Sequence, residues 1–253
     1  MNVRVVKIGG AALADVSWLE AFARAAAAAP VPLLVVHGGG PDITSLSDRL
    51  GIEFRWHGGR RVTSAEALDV AGMVLSGRVN KRIVAALVNA GVDAVGLSGV
   101  DGALLRAELV EGGALGRVGR VHTVRADLLR ALLAAGHTVV LSPLSLGDDG
   151  AALNVNADDA AAAVAGALRA SELIFLTDVP GVRDAAGLRQ WLGAAEAEAL
   201  VRSGVASGGM GVKLSAGVQA LASGVAAVRI GDTAVLFDRD AGTVLSAPAL
   251  GAV

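Results

Sequence analysis

The 253-residue chain contains no cysteine. This removes disulfides, thiolate zinc sites and cysteine nucleophiles together, and it agrees with a reducing, cytoplasmic compartment. Histidine is scarce at four residues, and aromatic residues make up only 3%. No charge of one sign dominates: 22 basic against 24 acidic residues leave a formal net charge of −2. Neither nucleic acid nor an anionic membrane surface is called for, so the expected partners are small molecules. Although 53% of the residues are hydrophobic, every apolar run is broken before the roughly 18 residues that a membrane helix needs. The chain opens on a strand pattern with no charged n-region, h-region and cleavage site, and reads as unsecreted. Two nucleotide signatures are missing as well. Without GxxxxGK[ST] it is no ordinary P-loop protein, and without GxGxxG and a following acid it is a poor dinucleotide dehydrogenase.

What is present is a rhythm. Apolar stretches at 3–10, 33–40, 93–99, 138–147, 172–181 and 226–232 end in turn residues, and the segments between several of them, 16–29, 64–91 and 125–136, carry helical periodicity. Strands apolar on both faces that alternate with helices predict an α/β protein with a mainly parallel sheet covered on both sides. Residues 52–63 and 103–124 alternate and turn on glycine, which predicts β-hairpins that form flaps. No linker divides the chain. Two lobes sharing one sheet are expected, 1–160 and 161–253, with a soft boundary near 145–175.

The chemistry gathers where these strands end. Gly9 and Gly10 follow the first strand and Gly38, Gly39 and Gly40 the second. Loops of this kind turn backbone N–H groups inward and suit phosphate, although a glycine after a strand is also simply a turn. Lys7 stands beside the first pair. A buried ammonium is costly unless an anion meets it, and no neighbour in sequence is acidic; alternatively its stem lies on apolar surface with the charge in water. Lys213 falls in or near the first turn of a helix in GGMGVKLSAGVQALASG (208–224), where the macrodipole disfavours a cation by about 0.3–1 kcal/mol. Either an anionic ligand reverses that penalty or the lysine is a solvated one that tolerates it. Asn154, Asn156, Asp158 and Asp159 crowd the start of an alanine-rich helix; some cap it, but four exceed what capping requires. Arg60 and Arg61 precede a helix that Thr63 or Ser64 could cap, and arginine's planar fork suits a carboxylate.

Taken in order, VVKIGG, VVHGGG, GRRVT, SGRVNK, GLSGVDG, LNVNADDAA, LTDVPGV and GGMGVK span nearly the whole chain. This set resembles the amino acid kinase superfamily, and within it the members that phosphorylate acetylglutamate. The resemblance implies a three-layer αβα sandwich whose N-terminal lobe holds an acyl amino acid and whose C-terminal lobe holds ATP. It implies transfer of the γ-phosphoryl group to the side-chain carboxylate of N-acetyl-L-glutamate, in arginine biosynthesis, with Mg2+ accompanying ATP and no metal-binding residue named. By motif, Lys7 and Lys213 would hold phosphates and Asp158 would orient both. Gly9, Gly10, Gly39 and Gly40 would donate N–H groups around the transferred group. Arg61 would bind the substrate's α-carboxylate and Asn154 its acetamido end. Asp178, in a loop that a plain turn would also explain, and Gly209 and Met210 would lie at the nucleotide.

The resemblance also points to a homodimer insensitive to arginine, since no helix precedes the first strand. Elementary chemistry agrees with the reaction: a carboxylate is ionised at pH 7 and needs no general base, so the lack of an obvious catalytic histidine or cysteine is expected. Two other readings stay open at this stage. One is a kinase for 2-aminoadipate or glutamate linked to a carrier protein; the other is a nucleotide-binding regulator that has lost turnover.

Overall fold

A computed structural model describes residues 2–53, 55–57, 60–185 and 187–246. Eight strands form the central sheet, in the spatial order Trp191–Gly193, Thr243–Ser246, Val228–Gly231, Glu172–Leu176, Arg4–Ile8, Leu33–His37, Thr138–Ser142 and Ala94–Ser98. Every neighbouring pair is parallel except Val228–Gly231 against Thr243–Ser246. The six strands expected from the apolar stretches are all present in it.

Alternation explains why those strands are apolar throughout. Val5, Val36, Leu141 and Phe175 point to one side, where they pack with residues of the helices Ala126–Ala134, Ala157–Leu168, Ala194–Arg202 and Gly208–Ala222. Val6, Ile8, Val35 and Ile174 point to the other, against Phe22 of Val16–Ala27 and Ile83 and Leu87 of Asn80–Asn89. Both faces are therefore dry and the result is a three-layer αβα sandwich. Among the described residues, no helix is long and apolar enough to cross a membrane.

Two expectations need correction. The stretch 138–147 is not one strand: Thr138–Ser142 stays in the main sheet, whereas Leu144–Gly147 belongs to a small closed barrel with Leu105–Leu109, Val118–Val124 and Ala152–Val155. Pro143 stands at the break, where its missing N–H cannot continue a ladder. The flap hairpin predicted at 103–124 does pair antiparallel, but it is a wall of that barrel. Second, Asn154 lies on a barrel strand, and only from Ala157 does the alanine-rich helix begin. The long helical pattern at 64–91 is helical throughout its interior, with a π-helical stretch at Met73–Val79 between Ala65–Gly72 and Asn80–Asn89. Of the two capping candidates before it, Ser64 is the cap, accepting from the Ala67 N–H.

Phe175 is fully buried in the strand beside the first one. Phe175→Ala is predicted to destabilise the fold by about 3–5 kcal/mol, the range for deleting a buried aromatic ring. Urea unfolding would measure it, and a loss below about 1 kcal/mol would show that the site collapses around the missing ring.

Candidate active site

The strands Arg4–Ile8, Leu33–His37 and Glu172–Leu176 are parallel and in register, so their carboxyl ends open onto one edge of the sheet. In such sheets ligands bind at that edge. Lys7 is the next-to-last residue of its strand, and its side chain turns toward the start of helix Ala157–Leu168. There Asn156 caps the helix, accepting from the N–H groups of Asp158 and Asp159 at 2.8 and 3.4 Å. The cap is thereby satisfied by Asn156, and the Asp158 carboxylate is left to face inward. Its Oδ1 lies 3.0 Å from Lys7 Nζ and 3.6 Å from Lys213 Nζ. All three side chains are nearly enclosed, at 7, 8 and 12% exposure for Lys7, Asp158 and Lys213. The contacts are ion pairs whose angles fall short of well-aligned hydrogen bonds at Oδ1.

Lys213 is the sixth residue of helix Gly208–Ala222, one turn further in than its sequence pattern suggested. Two ammonium groups thus converge on one carboxylate. Burial pushes the Lys7 pKa below its ordinary 10.5, the attraction of Asp158 opposes this, and Lys213 adds a smaller lowering. Counted as ions, the cluster carries one uncompensated positive charge beside the positive end of a helix, an arrangement that favours anions.

Beside the cluster opens a cavity of about 440 Å³ lined by Lys7, Gly10, Gly39, Gly40, Asn154 and Asp158, with Thr63 and apolar side chains such as Leu75 completing the wall. The two glycine loops touch there. A Cβ on Gly10 would stand 2.9 Å from Pro41 Cδ and 3.0 Å from the Gly40 nitrogen, and one on Gly39 would stand 2.8 Å from Leu75 Cδ2. Among the described residues no backbone acceptor takes the N–H groups of Gly10, Gly39 or Gly40. Gly40 begins helix Gly40–Leu50, so a second helix N-terminus faces the same space.

The remaining expected residues lie around this centre. Gly9 has open space where a side chain would be, as does Gly209 in the first turn of the Lys213 helix, while Met210 packs against the core. Asp178 is exposed in the loop after Glu172–Leu176, at the same edge of the sheet, and accepts from Thr177 Oγ1 at 3.0 Å. The Arg61 backbone pairs with Trp56 in a two-residue hairpin, but its side chain lies outside the described residues. Asn154 Nδ2 donates to Thr63 Oγ1 at 3.3 Å, which ties the GRRVT segment to the barrel wall. Among the described residues there is no group of three or more His, Asp or Glu side chains arranged to hold a metal.

The sequence matches the amino acid kinase family over residues 2–232. The chain belongs to this family. The acetylglutamate kinase of Roseiflexus sp. (strain RS-1) is 48% identical over 229 residues, covering 89% of this chain and 87% of that protein. The acetylglutamate kinase of Chloroflexus aurantiacus is 45% identical over 240 residues, 94% of each. Among solved structures, N-acetylglutamate synthase from Neisseria gonorrhoeae complexed with coenzyme A and N-acetyl-glutamate superposes with a TM-score of 0.83 at 28% identity, over 97% of this chain and 59% of that one.

Three participants escaped sequence reasoning in this amino acid kinase. Thr63 was weighed only as a helix cap, yet it lines the cavity. His37, fully buried, sits under the second glycine loop with Nδ1 3.0 Å from the Gly38 carbonyl oxygen and Nε2 3.2 Å from Asn80 Nδ2. The signal for the last two was in the quoted motifs: a polar ring closing a strand that is buried on both faces, and an amide in the interior of a long helix.

Removing the shared carboxylate leaves two enclosed ammonium groups facing each other. Asp158→Asn is predicted to destabilise the unliganded protein by about 3 kcal/mol at pH 7. Lys7, whose pKa burial already lowers, then loses the opposing attraction of Asp158, and a depressed base is a penalty that is full at low pH and relieved as pH rises. The deficit relative to the parent should therefore shrink from pH 7 to about 9 in urea melts; a deficit that stays constant would show that the lysines do not repel each other.

Proposed function

We infer that the chain catalyses ATP-dependent phosphorylation of the side-chain carboxylate of N-acetyl-L-glutamate, a step of arginine biosynthesis, giving N-acetylglutamyl 5-phosphate and ADP. The observation that carries the reading is the convergence of Lys7 and Lys213 on Asp158 beside a cavity edged by glycine N–H groups that no backbone acceptor among the described residues takes. The acetylglutamate kinases at 45–48% identity support the choice of acceptor.

A carboxylate oxygen of the acceptor attacks the γ-phosphorus, the bond to the β,γ-bridging oxygen breaks, and ADP leaves with that electron pair. The nucleophile is already ionised, so no proton has to be removed. The difficulty is repulsion between an anion and a polyanion, and positioning and charge stabilisation lower it. Lys7 and Lys213 hold the phosphates, and Asp158 fixes the directions of both ammonium groups. The N–H groups of Gly9, Gly10, Gly39 and Gly40 surround the group in transfer. Arg61 takes the α-carboxylate and Asn154 the acetamido end of the acceptor, while Asp178, Gly209 and Met210 contact the nucleotide. Asp158 is engaged by two lysines, so the chain presents cations where phosphate oxygens go. An accompanying Mg2+ would supply charge neutralisation, and no side chain of this chain is assigned to hold it, in keeping with its need for few protein ligands.

The strand order supports the lobe assignment. Residues 1–160 bind the acyl amino acid and 161–253 the nucleotide, with Arg4–Ile8 between strands of the two. A cytoplasmic homodimer completes the reading. Its support is the outer strand Ala94–Ser98, which leaves one ladder open and is mostly only half-buried, and the exposed Val88 on the helix packed beside it.

ADP release with ATP-Mg and N-acetyl-L-glutamate, free glutamate or carrier-linked 2-aminoadipate tests the acceptor. Turnover of acetylglutamate is expected, and turnover of only the carrier-linked acid would reassign it. Lys7→Ala and Lys213→Ala should each lower kcat by at least about 100-fold. Nucleotide binding by thermal shift without turnover of any acceptor would instead mark a silent regulator.

A further inference from the structure

The SGRVNK segment has no part in the reaction as described, yet its Asn80 lies against His37 beneath the second glycine loop. Asn80, fully buried where the π-helical stretch ends, shares its two Nδ2 hydrogens among the Val140 carbonyl at 3.0 Å, His37 Nε2 at 3.2 Å and the Leu97 carbonyl at 3.3 Å. Its Oδ1 accepts from Lys81 Nζ at 3.1 Å. The amide cannot be turned round, since that would set Oδ1 against two carbonyl oxygens and the NH2 group against an ammonium. Gly96 makes room for this contact, because a Cβ there would overlap Asn80 Oδ1.

The consequence is a fixed tautomer. Asn80 offers His37 Nε2 only a donor, so Nε2 accepts, the ring proton resides on Nδ1, and Nδ1–H donates to the Gly38 carbonyl. A trans peptide directs its N–H opposite to its C=O. With the Gly38 carbonyl held down toward the buried ring, the Gly39 N–H points the other way, and Gly38, Gly39 and Gly40 line the cavity whereas His37 does not. We propose that His37 is a positioning residue that sets the direction of the Gly39 N–H donor, with Asn80 fixing the tautomer this requires. Burial and the nearby Arg82 and Lys81 support it by lowering the His37 pKa to about 4, so that the ring stays neutral and Nε2 keeps its lone pair. The proposal rests on the phosphoryl-transfer reading above.

Two measurements test it. In the parent protein with 15N-labelled histidine, the 15N spectrum should show the buried ring protonated at Nδ1; protonation at Nε2 overturns the proposal without any variant having to fold. His37→Leu should lower kcat by about 10- to 100-fold per ATP-binding molecule while KM for acetylglutamate and ATP moves less than about threefold. His37→Asn, whose amide can place a donor near the former Nδ1, should recover most of that loss. Equal kcat in parent and His37→Leu, or losses in His37→Leu and His37→Asn that match, would overturn positioning while acetylglutamate turnover by the parent still upheld the reaction. A parent without acetylglutamate-dependent ADP release would defeat both readings.

Discussion

One carboxylate shared by two buried ammonium groups is the constraint around which the rest of this molecule is arranged. Neither Lys7 nor Lys213 could be enclosed alone without severe desolvation, and Asp158 could not be enclosed without at least one of them. The three come from a strand and two helices that are far apart in the chain, so forming the cluster fixes the relation of the central strand to helices Ala157–Leu168 and Gly208–Ala222. The remaining positive charge is what makes the site useful. Its compensation is incomplete by one unit, which on the proposed reading an arriving polyanion completes.

The glycine loops answer a different requirement. Cations at this spacing lower the energy of any bound anion, ground state and transition state alike, and uniform binding does not accelerate chemistry. Backbone N–H groups aimed at one point act more selectively, because they favour charge only where it develops. This explains the close packing of Gly10 against Gly39 and Gly40: each side chain excluded there brings two sets of donors nearer to one position. On the proposed reading the kinase separates attraction, supplied by lysines and helix ends, from aim, supplied by backbone that the fold beneath must hold still.

The parts of the fold that could be read from sequence were those imposed by burial. Strands such as Leu33–His37 and Glu172–Leu176 are covered on both faces, so every residue had to be apolar or nearly so, and the pattern was plain. Strands Trp191–Gly193 and Thr243–Ser246 are three and four residues long, too short to carry a period, and passed unnoticed. Leu144–Gly147 was misread because hydrophobicity does not reveal which sheet a strand joins; only Pro143 hinted at the break. At the site, the glycine pairs and lysines were legible since their residue types are unusual where they stand. That Lys7 and Lys213 meet at Asp158 was given by resemblance, because no local pattern encodes a contact across 151 and 55 residues of chain. Asn80 was hidden for a related reason: a π-helical stretch shifts the helical phase, so a residue that periodicity assigns to one face turns up under another.

That shift has a structural use. Along an unbroken α-helix Asn80 would lie nearly opposite the face that presents Ala67, Ala71 and Leu75 to the cavity. One wider turn at Met73–Val79 rotates the following residues, so the same helical segment walls the cavity with apolar side chains and then passes an amide beneath the sheet ends. A buried amide is expensive unless its hydrogen bonds are met, and here two strand carbonyls, a lysine and an imidazole meet them. Because the carbonyls and the imidazole belong to three adjacent strands, Leu33–His37, Thr138–Ser142 and Ala94–Ser98, the network ties those strands together near the place where the glycine loop leaves the sheet. Glycines give a loop close approach at the expense of rigidity. The polar floor beneath them restores the rigidity without adding a side chain to the cavity itself.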